Sequence, residues 1–437
     1  MKELLMKKIK SKELKVAVVG LGYVGLPLAV EFALSGYETT GFDIQQEKVQ
    51  KVNAGENYIG DIIPEKLKTM IKTKKLMATS DWNKIHDMDL IIICVPTPLD
   101  KYQQPDTSYI TNSCKTIAEN MKKNCIVVLE STTYPGTTEE LVRPVLEKGS
   151  NLKCGSDFYL GFSPERVDPG NAVYKTKNTP KVVGAIGSDA SDCIAEIYRN
   201  VLSSDVKIVS SPSVAEMEKI LENTYRNINI GLVNEMAIIC HRMGINIWEV
   251  IDAASTKPYG FQAFYPGPGL GGHCIPLDPY YLTWKAREFN YHTKLIETSG
   301  EINVSMPEYI VERCGDQLNN IKKTLNGSKI LIIGIAYKPD IDDYRESPAL
   351  RVIEEFNKKG AETTPYDPYI SKYIYKGKTY NCVTNINELN IEKYDIVVIT
   401  TNHKCIDYEF VNRKAQLIFD TRNAMKEVFN REKIELL

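Results

Sequence analysis

Three features that the 437-residue sequence lacks narrow the class of protein before any motif is considered. No apolar run approaches the ~20 residues of a membrane-spanning helix; the longest, such as residues 90–94, have the length of a buried strand. The first residues, MKELLMKKIKSKELK, lack the apolar stretch of a secretory signal. The formal net charge of −2 gives no global field that would attract nucleic acid or an anionic membrane. We therefore expect neither membrane insertion nor nucleic-acid binding, and a charged, helical extension over residues 1–14.

The ten cysteines are widely spread and form no CxxC pair. In a long chain without a secretory signal, this pattern favours reduced thiols and a cytoplasmic location. Most of these cysteines fit the role of small buried hydrophobes. The sequence also shows no short repeat and no low-complexity tract.

Short β-rich runs alternate with helical stretches at both ends of the chain. This alternation predicts an α/β protein with two Rossmann-like domains built on parallel sheets. The predicted strands are residues 15–20, 39–44, 90–96, 125–131, 159–163, 329–335, 362–366, 395–400 and 417–420, with a helix at 348–359.

The middle of the chain has a different character. Residues 214–243 contain no proline and carry apolar side chains on more than one face, which predicts a long helix that is buried or lies at a subunit interface. A shorter helix is predicted at residues 247–254, followed by a Pro/Gly-rich loop at 265–272. The predicted domains are an extension (1–14), a first α/β domain (15–210), a central helical domain (211–325) and a second α/β domain (326–437).

A glycine fingerprint, Gly20-x-Gly22-x-x-Gly25, follows the first predicted strand and opens a helix. Asp43 lies 18 residues beyond Gly25, at the end of the next predicted strand. This arrangement favours a dinucleotide whose pyrophosphate meets the helix N-terminus. Because Asp43 would accept from ribose hydroxyls and repel a 2′-phosphate, NAD is favoured over NADP, whereas a lone fingerprint could also be a glycine turn without a ligand.

The second motif is the loop GPGLGGHCIPLD, residues 267–278, which carries Cys274 and, four residues later, Asp278. A thiol with an ordinary pKa of about 8.5 needs a positive neighbour to become a nucleophile. A lysine from elsewhere suits that role better than the adjacent His273. The alternatives are a buried cysteine beside a turn, and a zinc site that lacks a clear fourth ligand, so no metal is predicted. Lys219 and Asn223, at i and i+4 on the long helix, fit solvent exposure and a site equally well.

Taken together, the ordered motifs resemble those of the UDP-glucose/UDP-mannuronate dehydrogenase family over about residues 15–422. They are Gly20–Gly25, Glu130-Ser-Thr132, Ser163-Pro-Glu165-Arg166, Lys219-x3-Asn223, the Cys274 loop, Tyr337-Lys338 and Arg345-Glu-Ser347. The resemblance implies an NAD-dependent enzyme that oxidises the C6 alcohol of a UDP-sugar to a carboxylate. It also implies a homodimer built on the long helix.

The same resemblance implies roles for the residues that match. Cys274 would be the nucleophile, with five other residues at the reacting centre: Lys219, Asn223, Asp278, Glu165 and Thr132. NAD would be held by Gly20, Gly22, Tyr23, Val24, Gly25, Asp43, Lys48, Thr97 and Thr132. The nucleotide sugar would be contacted by Glu165, Arg166, Val167, Lys219, Asn223, Arg226, Gly269, Tyr337, Lys338 and Arg345.

His273 stands where plain UDP-glucose dehydrogenases carry serine, which resembles the branch that acts on UDP-N-acetylhexosamines. UDP-N-acetylglucosamine is favoured, and the galactosamine and mannosamine epimers and UDP-glucose stay open. Two other functions would require different residues. A β-hydroxyacid dehydrogenase would need no cysteine loop, and a non-catalytic NAD or nucleotide-sugar sensor would not need Cys274, Lys219, Asn223 and Asp278 together.

Overall fold

A computed structural model describes residues 1–60, 62–168, 170–171, 173–272 and 274–437. The chain forms two compact units. The first contains Met1–Glu222 and Tyr280–Asn290, and the second contains Asn223–Pro279 and Tyr291–Leu437.

The first unit is built on an eight-stranded sheet of order β3-β2-β1-β4-β5-β6-β7-β8. All neighbours in it run parallel except β6 and β7, which are antiparallel. The direction of winding reverses between β1 and β4, where open α/β sheets bind their ligands beyond the carboxyl ends of the strands. The strands are β1 Lys15–Val19, β2 Glu38–Phe42, β3 Leu76–Thr79, β4 Leu90–Ile93, β5 Cys125–Leu129, β6 Phe158–Phe162, β7 Lys181–Ala185 and β8 Val206–Val209.

Helices cover both faces of this sheet, and apolar side chains fill the layer on each face. They are α1 Lys2–Ser11, α2 Gly25–Leu34, α3 Gln46–Ala54, α4 Pro64–Lys72, α5 Ser108–Asn120, α6 Arg143–Ser150 and α7 Ser188–Val201. The helical extension predicted at the N-terminus is α1, and it is part of the packed unit. Leu5 and Ile9 are fully buried in it, and Lys2 pairs with Asp189 and Asp192 of α7.

The long central helix is α8, Pro212–Met243, and its first residues belong to the first unit. The other helices are α9 Ile247–Ser255, α10 Asp278–Ala286, α11 Lys294–Asn320, α12 Pro348–Lys358 and α13 Tyr408–Lys414. No helix among the described residues is long and apolar enough to cross a bilayer.

The second unit holds a five-stranded sheet of order β10-β9-β13-β14-β15, with every neighbouring pair parallel. Its winding also reverses, between β9 and β13. The strands are β9 Lys329–Ile333, β10 Glu362–Tyr366, β13 Ile396–Ile399, β14 Ile418–Asp420 and β15 Ile434–Leu436, beside a separate hairpin of β11 Lys372–Tyr375 and β12 Lys378–Asn381. The predicted α/β class with two Rossmann-like sheets is therefore confirmed. Six strands were not predicted: β3, β7, β8, β11, β12 and β15.

Candidate functional site

The glycine fingerprint lies at the reversal point of the first sheet, directly after β1. A Cβ atom at Gly25 would lie 1.9 Å from the carbonyl oxygen of Gly20, so helix and turn need glycine to pack. A Cβ at Gly22 would meet nothing within 4 Å, so that glycine borders open space beside the N-terminus of α2. Open space at the second glycine is what an approaching pyrophosphate requires. These residues therefore fit NAD.

Asp43 follows β2 and faces the same turn. One carboxylate oxygen accepts the N–H of Leu21 at 2.9 Å, and the other accepts the N–H of Gln45 at 2.9 Å. Lys48 lies 3.7 Å from the carboxylate. Asp43 is thus held in place at the carboxyl edge of the sheet, and its contact with a ribose stays a prediction. Thr97, which follows β4, is buried, and its carbonyl accepts the hydroxyl of Tyr281.

Close packing explains the glycines of the cysteine loop in the second unit. A Cβ at Gly271 would lie 2.6 Å from Cβ of Tyr337, and one at Gly267 would lie 2.4 Å from Nη1 of Arg422. The loop therefore lies directly against residues that follow β9 and β14. Predicted substrate residues Gly269 and Tyr337 are brought together there, since Gly269 packs against Pro348 beside that tyrosine.

Asparagines of α8 hold this loop from one helix face. Asn234 is fully buried; its Oδ1 accepts the N–H of Gly267 at 2.9 Å, and its Nδ2 donates to Asn303 at 2.9 Å. Asn227 donates to the carbonyl of Ile275 at 3.3 Å. Most apolar side chains of the sequence pattern lie on the opposite face, whereas Ile220 is fully buried. Exposed large hydrophobics of α8 are Val214, Met217, Leu221, Tyr225, Leu232, Ile239 and Met243.

The predicted catalytic residues of the second unit lie at the end of the loop. Asn223 and Asp278 are both buried, and the amide of Asn223 donates to the carboxylate of Asp278 at 2.5 Å. The carbonyl of Cys274 accepts the N–H of Asp278, the first residue of α10. Cys274 is partly exposed and lies four residues before Asp278, where α10 begins. His273 lies outside the described residues.

Most of the other cysteines are more buried than Cys274. Seven of the ten are buried. Burial raises the pKa of the Cys114 thiol to about 12, as it does for Cys125. These two thiols are therefore poor nucleophiles, whereas Cys274 combines partial exposure with a glycine-lined loop.

In the first unit, Glu165 follows β6 and its carboxylate is fixed on both oxygens. Oε1 accepts the N–H groups of Arg166 at 2.9 Å and Val167 at 2.8 Å, and Oε2 accepts from Lys181 at 3.3 Å. Burial favours the neutral acid, but Lys181, the two N–H groups and the charge of Lys219 outweigh it and lower the pKa of Glu165. Glu165 is therefore an ionised carboxylate with a set orientation.

Thr132 and Lys219 are tied to one another through Glu216, a residue that the sequence reasoning missed. Glu216 is fully buried on α8, one turn before Lys219. Its carboxylate accepts the N–H of Gly136 at 2.6 Å and both the N–H and the hydroxyl of Thr138, at 2.9 and 2.6 Å. This anchors the segment after Thr132 to the helix that carries the buried Lys219.

Three predicted substrate-binding cations have different surroundings. The side chain of Arg166 pairs with Glu222 and, at 3.4 Å, with Glu218. Arg345 is exposed and forms a two-pronged pair with Asp343. Arg226 is exposed on α8.

The turn after β9 corresponds in position to the fingerprint of the first sheet but is closed by its own side chains. Asp367 is fully buried and accepts the N–H groups of Ile335 at 2.7 Å and Ala336 at 2.9 Å. His403 accepts from the Asp340 N–H through Nδ1, so its Nε2 carries the hydrogen that points at Asp367, 3.1 Å away. A carboxylate with no exposed surface cannot bind a ribose, which agrees with the absence of a second glycine fingerprint at this turn.

Arg422 is a second residue that the sequence reasoning missed. It follows β14, donates to the carbonyl of Thr400 at 3.1 Å, and packs on Gly267 of the cysteine loop. Burial lowers the pKa of Arg422 to about 10, against the opposing charge of Asp420. A partly buried guanidinium beside a glycine loop is suited to phosphate. The signal available in the sequence was an arginine two residues after a predicted strand end.

Three consecutive models of the UDP-glucose/GDP-mannose dehydrogenase family match the chain. The NAD binding domain matches residues 14–202, the central domain matches 213–305, and the UDP binding domain matches 331–427.

Relatives and solved structures agree with these models. A UDP-N-acetyl-D-glucosamine 6-dehydrogenase from Pseudomonas aeruginosa is 37% identical over 93% of this chain and 94% of its own length. A UDP-N-acetyl-D-mannosamine dehydrogenase from Pyrococcus horikoshii is 36% identical over 95% of this chain and 96% of its own length. The solved structure of a UDP-D-ManNAc dehydrogenase from Pyrococcus horikoshii has a TM-score of 0.88, 33% identity, and covers 97% of this chain and 99% of that one. The chain therefore belongs to the UDP-glucose/GDP-mannose dehydrogenase family and is an NAD-dependent oxidoreductase.

Proposed function

We propose that this protein oxidises the C6 hydroxyl of a UDP-N-acetylhexosamine to the carboxylate, for surface polysaccharide synthesis, with Cys274 as nucleophile. The observation that carries the proposal is the glycine loop that presents Cys274 beside the buried Asn223–Asp278 pair. NAD, when bound at the fingerprint, supplies the hydride acceptor for both oxidations.

In the mechanism, Sγ of Cys274 adds to the C6 aldehyde carbon and forms a thiohemiacetal, and its oxidation leaves a thioester that water hydrolyses. A covalent step of this kind keeps the aldehyde on the enzyme and divides the four-electron oxidation into easier parts. Asn223 and Asp278 orient the C6 oxygen and the attacking water. The Lys219 ammonium stabilises negative charge on that oxygen, and Glu165 and Thr132 hold water at the same centre.

Substrate binding is assigned to cations and to the cysteine loop. Arg422 and Lys338 supply charge for the diphosphate, and Tyr337 packs on the loop that faces it. UDP-N-acetylglucosamine is the favoured sugar, supported by the Pseudomonas relative. The mannosamine epimer is the second candidate, supported by the similarity to the Pyrococcus dehydrogenase.

The proposed assembly is a homodimer formed through α8. Its exposed apolar side chains recur at intervals of three, four or seven residues, that is, after about one or two helical turns, so they form one stripe along the helix. Leu221 is 64% exposed and Leu232 is 52% exposed. A row of large apolar side chains with this exposure favours burial against a partner helix. Leu232→Asp should halve the molecular mass measured by light scattering. An unchanged mass would contradict an interface on this stripe.

The test of function is the yield of NADH per UDP-N-acetylglucosamine consumed, with excess NAD at near-neutral pH. Two NADH per sugar and a uronate product are expected. One NADH with an aldehyde product would exclude the thioester route. Cys274→Ser should bind NAD and UDP-sugar but lose turnover. If UDP-N-acetylglucosamine gives no NADH, the mannosamine and galactosamine epimers and UDP-glucose are assayed in turn. Turnover of UDP-glucose alone, or of none of the four, would contradict the proposal.

A further inference from the structure

A buried ion-pair chain lies behind Glu165 in the first unit, and its central cation is Lys181. Lys181 is 4% exposed; Nζ donates to Glu130 at 2.9 Å and to Glu165 at 3.3 Å. The other oxygen of Glu130 accepts the hydroxyl of Tyr198, which is itself buried. One lysine is thus shared by two carboxylates with almost no access to water.

The reversed strand brings the lysine to this edge of the sheet. In the β6–β7 pair, Gly161 lies opposite Ala185 and Phe162 opposite Gly184. Continuing that antiparallel register places Lys181, the first residue of β7, across from Glu165. Because β7 is antiparallel to β6, which is parallel to β5, the amino end of β7 lies at the same sheet edge as the carboxyl end of β5, where Glu130 stands. In a parallel strand the same lysine would lie at the opposite edge.

We infer that Lys181 is a positioning residue for the oxidation, which holds the Glu165 carboxylate ionised and oriented through a buried ion pair. The inference rests on the proposed function, in which Glu165 acts at the reacting centre. A buried carboxylate without a cation tends to take up a proton, and two carboxylates at one site repel each other. Lys181 counters both effects for Glu165 and Glu130.

The charges around Glu165 come from several elements. Lys181 belongs to β7, Glu130 follows β5, Lys219 belongs to α8, and Arg166 is the next residue in the loop. Cys94, which follows β4, and Tyr198 of α7 also face Lys181. Lys219 and Arg166 remain when Lys181 is removed, so the expected effect is a partial shift of the Glu165 pKa rather than full neutralisation.

The experiment is the pH profile of kcat for NADH formation from the active UDP-sugar. Lys181→Met combined with Glu130→Gln removes one charge of each sign, so no uncompensated Glu130 carboxylate is left buried. Relative to Glu130→Gln alone, the double variant should have an acidic limb that lies about one to three pH units higher, the range for loss of a nearby opposite charge, with activity recovered at higher pH. A folding defect alone would lower activity without moving the limb.

Two further variants keep the test decisive. In Glu130→Gln alone, Glu165 no longer shares Lys181 with the Glu130 carboxylate, so the acidic limb should move to lower pH. This variant tests the inference even if the double variant fails to fold. Lys285→Met is the matched control, because Lys285 is also a buried lysine between two carboxylates, Glu140 and Glu288, and should leave the limb in place.

Two results would overturn the inference. One is a double variant whose limb coincides with that of Glu130→Gln, or a Glu130→Gln limb that coincides with that of the wild type. The other is a limb that moves equally in Lys285→Met. A wild-type enzyme that produces no NADH from any of the four sugars would instead contradict the proposed function.

Discussion

Replacing Asn234 by alanine should loosen the cysteine loop, because this side chain joins the loop to α8 and α11. The change leaves two buried groups without their partner, the N–H of Gly267 and Oδ1 of Asn303. Each such group costs about 1–3 kcal/mol, so the free energy of unfolding should fall by about 2–6 kcal/mol. Denaturant unfolding measures that loss, and the initial rate of NADH formation should fall with it, since the same loop carries Cys274.

The matched control is Asn229→Ala on the same helix. The amide of Asn229 donates at 2.7 Å to the carbonyl of Tyr225, within its own helix. Its loss should change the unfolding free energy by less than about 0.5 kcal/mol, as is usual for surface substitutions. Equal stabilities for Asn234→Ala and Asn229→Ala would refute the reasoning, since they would mean that the buried amide holds nothing.

Three other predictions address the first unit. In Gly25→Ala, the added Cβ would overlap the Gly20 carbonyl oxygen, at an overpacking cost of about 1–3 kcal/mol. If that cost falls on the NAD-bound form, NAD should bind roughly 5- to 150-fold more weakly, as measured by calorimetry. Unchanged affinity would contradict the packing argument. Ile9→Ala should lower the unfolding free energy by about 2–5 kcal/mol while the turnover of folded enzyme stays constant, since Ile9 is fully buried in the N-terminal helix. Burial opposes ionisation of Asp89, but Lys8 and its other donors outweigh burial and lower the pKa of this carboxyl. The ionised Asp89 carboxylate therefore contributes its full stability above the unfolded pKa of about 3.9, and this contribution is lost as the pH falls through the lower folded pKa. In Asp89→Asn, the urea midpoint of unfolding should depend less on pH over that range.

Local motifs in the sequence predicted the parts of the site that depend on local geometry. The fingerprint was found because Gly25 must touch the Gly20 carbonyl, a contact made within one turn of chain. The cysteine loop was found because its glycines and prolines exclude regular structure. The residues that hold these motifs were not predicted, because Glu216 and Lys181 act on segments 78 and 51 residues away. Neither belongs to a short-range pattern.

The strand β7 shows why the ion-pair chain could not be predicted. Its sequence, KVVGA, reads as an ordinary buried strand, and nothing in it specifies direction. Alternation of strands and helices favours parallel pairing, which would have placed Lys181 at the amino edge of the sheet, away from Glu130. Only the observed antiparallel register with β6 brings the lysine and both carboxylates to one edge.

The long helix illustrates a different limit, since its apolar pattern was recognised but its faces could not be assigned. Hydrophobic periodicity normally marks the buried face of a helix. In α8 much of the buried face is polar, because Asn223, Asn227 and Asn234 satisfy Asp278 and the backbone of the cysteine loop. An irregular loop offers N–H and carbonyl groups that leucine could not satisfy, and leaving them unpaired would cost more than leucine burial gains. Apolar residues are thereby displaced to the outer face, so the same helix that fixes the loop carries the stripe proposed for a second subunit.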